Sequence, residues 1–204
     1  MRQARADADT LIVKTAIHED SGRRPVYVVA TDTDILVILI GRARKGTFIN
    51  LLSPATSKIA GKIYNIDTIK SSVGNASKSI LFVHAMTGCD TTSALKNKGK
   101  AAPWKMLLKN SELREYAQVF NSPSSTREDI ATAGEDFVKR IYGCEDKSLS
   151  IDDFRVQAYR RIIRSQPVTG EFDLGLLPPT KSALIQHSYR AYLQVNINSV
   201  SCTY

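Results

Sequence analysis

Little in this chain of 204 residues is built for an oxidising or lipid environment. It holds only three cysteines, Cys89, Cys144 and Cys202, odd in number and far apart, so they supply neither a disulfide framework nor the paired spacing of a zinc site. A reducing, intracellular compartment is expected, the nucleus included. No apolar run approaches the roughly 20 residues that cross a bilayer, and the opening Met-Arg-Gln-Ala-Arg-Ala-Asp lacks the apolar centre of a signal peptide. No membrane partner is expected. Repeats and low-complexity tracts are missing as well. What is there is 43% hydrophobic content, enough to bury a core, and a net charge of +8 at a pI near 9.4. That charge favours a polyanionic partner, because each phosphate neutralised by Lys or Arg releases condensed counterions.

Ala8, Leu11, Ile12, Thr15 and Ala16 recur at helical spacing, so a helix is expected almost from the first residue. Pro25 then introduces Val26 to Thr31, whose continuous β-branched character predicts a buried parallel strand ending at Asp32-Thr33-Asp34. Propensity reads the all-apolar Ile35 to Ile40 as a second strand. Thr47 to Leu52 and Ile63 to Ile66 read as further strands, Asp67 as the cap of a helix reaching Val73, and Ser77 to Met86 as a buried helix stopped by Gly88. From Thr91 the pattern is helical: about 91–97, 103–109, 111–120, 127–142, 151–164 and 180–195, with Thr126 and Thr180 as caps. Residues 1–100 form the expected α/β core and residues 101–204 a helical extension continuous with it. A helix near residue 6 has no strand before it, so the first strands of the fold are expected to lie outside the chain.

Acidic residues punctuate this pattern. Asp32 and Asp34 follow the carboxyl end of a strand, where ligands of open α/β sheets sit, and two carboxylates at i and i+2 suit one hard cation. Asp7 and Asp9 lie about 100° to either side of the first helix's apolar stripe, so they converge only near its N-terminal end. Asp90 follows Gly88 at a turn. Capping is the plainer alternative for each taken alone. The conjunction of acids at a strand end, a helix start and a second turn is what raises metal binding.

The segments Asp7-Ala8-Asp9-Thr10, Val28-Val29-Ala30-Thr31-Asp32-Thr33-Asp34 and Thr87-Gly88-Cys89-Asp90-Thr91-Thr92 resemble the internal region of the flap-endonuclease-like branch of PIN-domain nucleases. The resemblance covers about residues 6–105. It implies a PIN-like, Rossmann-like α/β fold with a mostly parallel sheet, incomplete at its N-terminus and followed by an α-helical C-terminal extension. It also implies that Asp34 to Val37 turns helical, against propensity. Asp7, Asp9, Asp32, Asp34 and Asp90 would bind Mg²⁺ or Mn²⁺, with Asp32, Asp34 and Asp90 central to catalysis. Two ions roughly 3.5 to 4 Å apart stabilise the attacking and leaving oxygens of an in-line displacement at phosphorus. The activity implied is structure-selective cleavage of branched or single-stranded DNA, or of RNA, with this chain supplying most but not all of the acidic site.

Lys96, Lys98 and Lys100, with Gly99 admitting close backbone approach, are the expected nucleic-acid contacts; Lys105 and Lys109 extend the cluster. A solvated turn is the plainer alternative. Arg155, Arg160, Arg161 and Arg164 form a second basic stretch that reads as an ordinary exposed helix face. His84 reads as a core histidine, and no arranged partner for Cys89 is visible. Two other functions suit the same acids: a degenerate nucleic-acid or protein-binding module without turnover, and a haloacid-dehalogenase-like phosphatase with Asp32 as nucleophile. The phosphatase would usually carry a small hydroxyl residue where Leu36 stands.

Overall fold

The computed structural model describes residues 8–55, 57, 60–165 and 172–197. The chain divides into two compact units, residues 1–81 with 197–204, and residues 82–196.

In the first unit, helix α1 (Ala8–Glu19) buries Thr10, Val13 and Ala16 along one stripe. It runs into Asp20, which is only 7% exposed. The Asp20 carboxylate accepts hydrogen bonds from the Gly22 N–H at 3.2 Å, the Thr47 hydroxyl at 2.7 Å and the Phe48 N–H at 3.4 Å. Arg44 Nε lies 3.5 Å from the same carboxylate, and its guanidinium donates to the Asp20 carbonyl at 2.8 Å. Burial pushes the Asp20 pKa up, but the bonds from Thr47, Gly22 and Phe48, with Arg44, outweigh it and hold the carboxyl below its ordinary value.

Strand β1 (Val26–Val29) pairs in parallel with β2 (Ile49–Ser53), Val28 opposite Leu51. The crossover between them is helix α2 (Thr33–Arg42). Ile35 to Ile40 is therefore helix, not the strand that propensity favours. Asp32 caps it by taking the Asp34 N–H at 2.8 Å, and Ile35, Ile38, Leu39 and Ile40 turn inward. A capped start and a buried apolar stripe together outweigh the small helix penalty of branched side chains. Strand β3 (Lys62–Asn65) joins β2 antiparallel, Leu51 opposite Tyr64. The connection 54–61 is shorter than the dozen or so residues a parallel crossover takes.

The mostly parallel, PIN-like sheet is thus corrected. Among the described residues the sheet has three short strands in the order β1-β2-β3, one pair parallel and one antiparallel, and 63% of these residues are helical. One apolar run went to helix α2, and the third strand runs antiparallel to β2. The row Val29, Leu52 and Ile63 crosses one sheet face; Val29 is 62% and Ile63 63% exposed. Helix α3 (Ile66–Val73) is capped by Asn65, which takes the Thr68 N–H at 2.8 Å. Asp67, the expected cap, instead accepts the Gly46 N–H at 2.6 Å. The buried helix expected from Ser77 begins as a 3-10 turn, Gly74–Ser79, and continues as α4 (Ile80–Thr87).

In the second unit the helical reading agrees with the structure: α5 (Ala101–Lys109), α6 (Ser111–Asn121), α7 (Arg127–Ile141), α8 (Ile151–Ser165) and α9 (Lys181–Ile197). The exception is 91–97, which is turn and irregular chain. Phe82 packs against Phe120 and Phe137 with ring centroids 4.7 and 4.5 Å apart. Thr126 opens α7 with a reciprocal capping box to Asp129, and Thr180 Oγ1 accepts the Ala183 N–H at 3.4 Å. Gly134 lets α7 approach α9, since a Cβ there would sit 2.0 Å from Ser188 Oγ. Among the described residues no helix is long and apolar enough to cross a membrane.

Candidate functional site

Lengths and pinning decide where the acids of the first unit fall. Thr47 and Phe48 lead into β2, so their bonds to Asp20 fix the far end of α1 at the amino ends of the strands. Twelve helical residues span about 18 Å, and the extended chain from Val26 to Asp32 returns about 20 Å. Asp9, in the first turn of α1, therefore lies at the same end of the sheet as Asp32 and Asp34. Asp7 lies outside the described residues. Asp32 is exposed; its Oδ1 is occupied by the Asp34 N–H and its Oδ2 has no hydrogen-bond partner among the described residues. Asp34 and Asp9 are half-buried.

Sharing an end is not the same as converging. Among the described residues no three His, Cys, Asp or Glu side chains group closely enough to hold a metal ion. A hydrated Mg²⁺ characteristically keeps several waters and takes one or two carboxylates plus substrate phosphate, fewer than three protein ligands. The positive end of α2 tempers the repulsion between the two carboxylates.

Asp90 belongs to the second unit. The hexapeptide Thr87-Gly88-Cys89-Asp90-Thr91-Thr92 folds as a tight turn in which Cys89 and Thr92 exchange backbone hydrogen bonds of 3.1 Å each. Asp90 does not cap a helix, because none follows the turn directly. Every other side chain in the segment serves the turn. Thr87 donates to the Val83 carbonyl at 2.7 Å, Thr92 to the Ala85 carbonyl at 2.7 Å, and Thr91 to Gln194 Oε1 at 2.9 Å. Gly88 adopts φ +112°, where a Cβ would meet Ala94 Cα at 2.5 Å. Asp90 alone makes no side-chain bond among the described residues and stands exposed at the tip. The motif is thus a rigid mount for one carboxylate.

The same turn carries a pair that the sequence did not disclose. Burial pushes the Cys89 thiol up, but hydrogen bonds with His84, Thr91 and Thr92 bring it down to about 6. Thr91 Oγ1 lies 3.4 Å and Thr92 Oγ1 3.1 Å from Sγ. His84 is a buried residue of α4, as expected, yet it is also the partner of Cys89. The available signal was Gly88: a helix stopped there folds the next residue back over its own last turn.

The lysine turn is occupied by its own unit. Lys96 pairs with Asp173, and Lys98 Nζ stands 4.6 Å over the Tyr142 ring. Lys100 is the N-cap residue of α5, and Gly99 is exposed with open space where a Cβ would go. Compared with family models, curated proteins and solved structures, the chain matches none.

Proposed function

We propose that this chain carries the acidic residues of a metal-dependent nuclease that hydrolyses phosphodiester bonds in DNA or RNA. The carrying observation is the Asp32-x-Asp34 pair at the carboxyl end of β1 in a parallel β1-α2-β2 crossover, where open α/β sheets take their ligands. Asp32 and Asp34 would hold Mg²⁺ or Mn²⁺, and Asp9 at the same end adds charge directly or through water. When bound, the ion supplies Lewis-acid stabilisation of charge building on the phosphate. The cap bond from the Asp34 N–H orients the Asp32 carboxylate and leaves Oδ2 for the ion. Similarity of the three acidic motifs to flap-endonuclease-like nucleases supports the reading, and within the second unit Asp90 is presented to solvent by its own turn.

The test uses the whole chain with labelled branched DNA, single-stranded DNA and RNA in Mn²⁺ or Mg²⁺. Cleavage is expected to fall about 100-fold or more in Asp34→Asn and Asp32→Asn, and Asp90→Asn measures the part of the third acid. Mn²⁺ should raise the melting temperature of the unmutated chain and not that of Asp34→Asn. Cleavage unaffected by Asp34→Asn overturns the assignment. Metal binding without cleavage favours the alternative, a degenerate nucleic-acid or protein-binding module without turnover.

A further inference from the structure

The self-occupied lysine turn directs attention to the other basic stretch. On α8, Ile151 and Phe154 are buried, and Arg155 is used internally, donating to the Pro178 carbonyl. Gln157, Arg160, Arg161 and Arg164 recur at i, i+3, i+4 and i+7, an arc of about 100° on a 3.6-residue helix. With Ser165 they line one exposed face of α8. Arg160, Arg161 and Arg164 are exposed and make no hydrogen bond or ion pair among the described residues. Like charges three and four residues apart repel by a few tenths of a kcal/mol per pair, so this face is relieved by any bound polyanion.

We propose that the Arg160, Arg161 and Arg164 face of α8 is a phosphate-backbone contact for nucleic acid. From Arg160 to Arg164 the helix axis advances about 6 Å, a length over which one strand of a duplex presents roughly two phosphates at one per 3.4 Å. Three guanidiniums spread over a 100° arc can reach these and a neighbouring phosphate, and each can take two phosphate oxygens in a fork that a lysine lacks. Gln157 and Ser165 add neutral donors on the same face. The surplus of positive charge on the whole chain, +8, favours the same partner.

Binding is measured by fluorescence anisotropy with labelled duplex and single-stranded 20-mers, on the full chain, across a NaCl series in EDTA. Replacing the three arginines with glutamine (R160Q/R161Q/R164Q) is expected to flatten the plot of log affinity against log salt. The slope should fall by about 2.7 on duplex and about 2 on single strands, with about a tenfold or greater loss at low salt. Lys45→Gln, an exposed lysine in neither basic stretch, should change the slope by less than about 0.5. Circular dichroism confirms that the exposed substitutions leave the fold intact. An unchanged slope in the triple variant overturns the proposal, as does equal competition by polyglutamate matched in charge, which would make the face a site for acidic protein. The inference rests on the nuclease reading for the identity of its polyanion, yet the two fail separately. A flattened slope without any Mn²⁺-dependent cleavage by the unmutated chain sinks only the nuclease. Cleavage with an unchanged slope sinks only the arginine face.

Discussion

Replacing Asp20 with alanine removes the carboxylate that pins the end of α1 to the start of β2. Three donors lose their acceptor: the Thr47 hydroxyl, the Gly22 N–H and the Phe48 N–H, at 2.7, 3.2 and 3.4 Å. Hydrogen bonds to a charged group contribute about 1.5 to 3 kcal/mol each, and buried donors left unmade cost about 1 to 3. The 3.4 Å bond counts for least, and relief of carboxylate desolvation offsets part of the loss, leaving about 2 to 4 kcal/mol. At this chain size that is roughly 5 to 15 °C in melting temperature, read by circular dichroism and by urea midpoint at constant slope. A pH series adds a second readout. Because the folded pKa of Asp20 is depressed, its stabilisation is fully present above the unfolded value of about 3.9 and is lost as pH falls through the folded value. Unmutated protein should therefore weaken in that acid window more than Asp20→Asn does. An Asp20→Ala protein within about 0.5 kcal/mol of the parent would refute the reasoning.

Gly134→Ala should destabilise by about 1 to 3 kcal/mol, because the new methyl meets Ser188; adding Ser188→Gly should recover much of the loss in urea unfolding. Cys89 should be alkylated by iodoacetamide with a half-maximal pH near 6 by mass spectrometry, and His84→Phe should move that midpoint up; a midpoint near 8.5 in the parent would remove His84 as its partner.

The helices of the second unit were legible because their signals are local. Thr126 and Thr180 announced their helices, and α6 to α9 carry apolar residues at helical spacing. Ile35 to Ile40 was ambiguous on propensity, since an unbroken apolar run carries no period; the deciding group was the preceding Asp32 cap, together with the need for a crossover between parallel strands. Asp67 and Asn65 are both good caps two residues apart, and tertiary demand from the Gly46 N–H drew Asp67 away. The sheet misled for a different reason: strand direction depends on connection length, and 54–61 is too short for a crossover. Of the candidate site, the positions of Asp9, Asp32, Asp34 and Asp90 at element ends could be read from the chain. The occupation of Lys96 and Lys98 could not, because Asp173 and Tyr142 are distant in sequence.

The apolar row of Val29, Leu52 and Ile63 bears on how the protein must be handled. Among the described residues the outer edge of β1 pairs with no strand, so an open strand edge borders an exposed apolar surface. That combination is a template on which other chains can add strands and then stack. Crowded purification fractions invite clumping at this surface while the helices remain folded, so dilution and a lysine at the edge protect a preparation better than cooling.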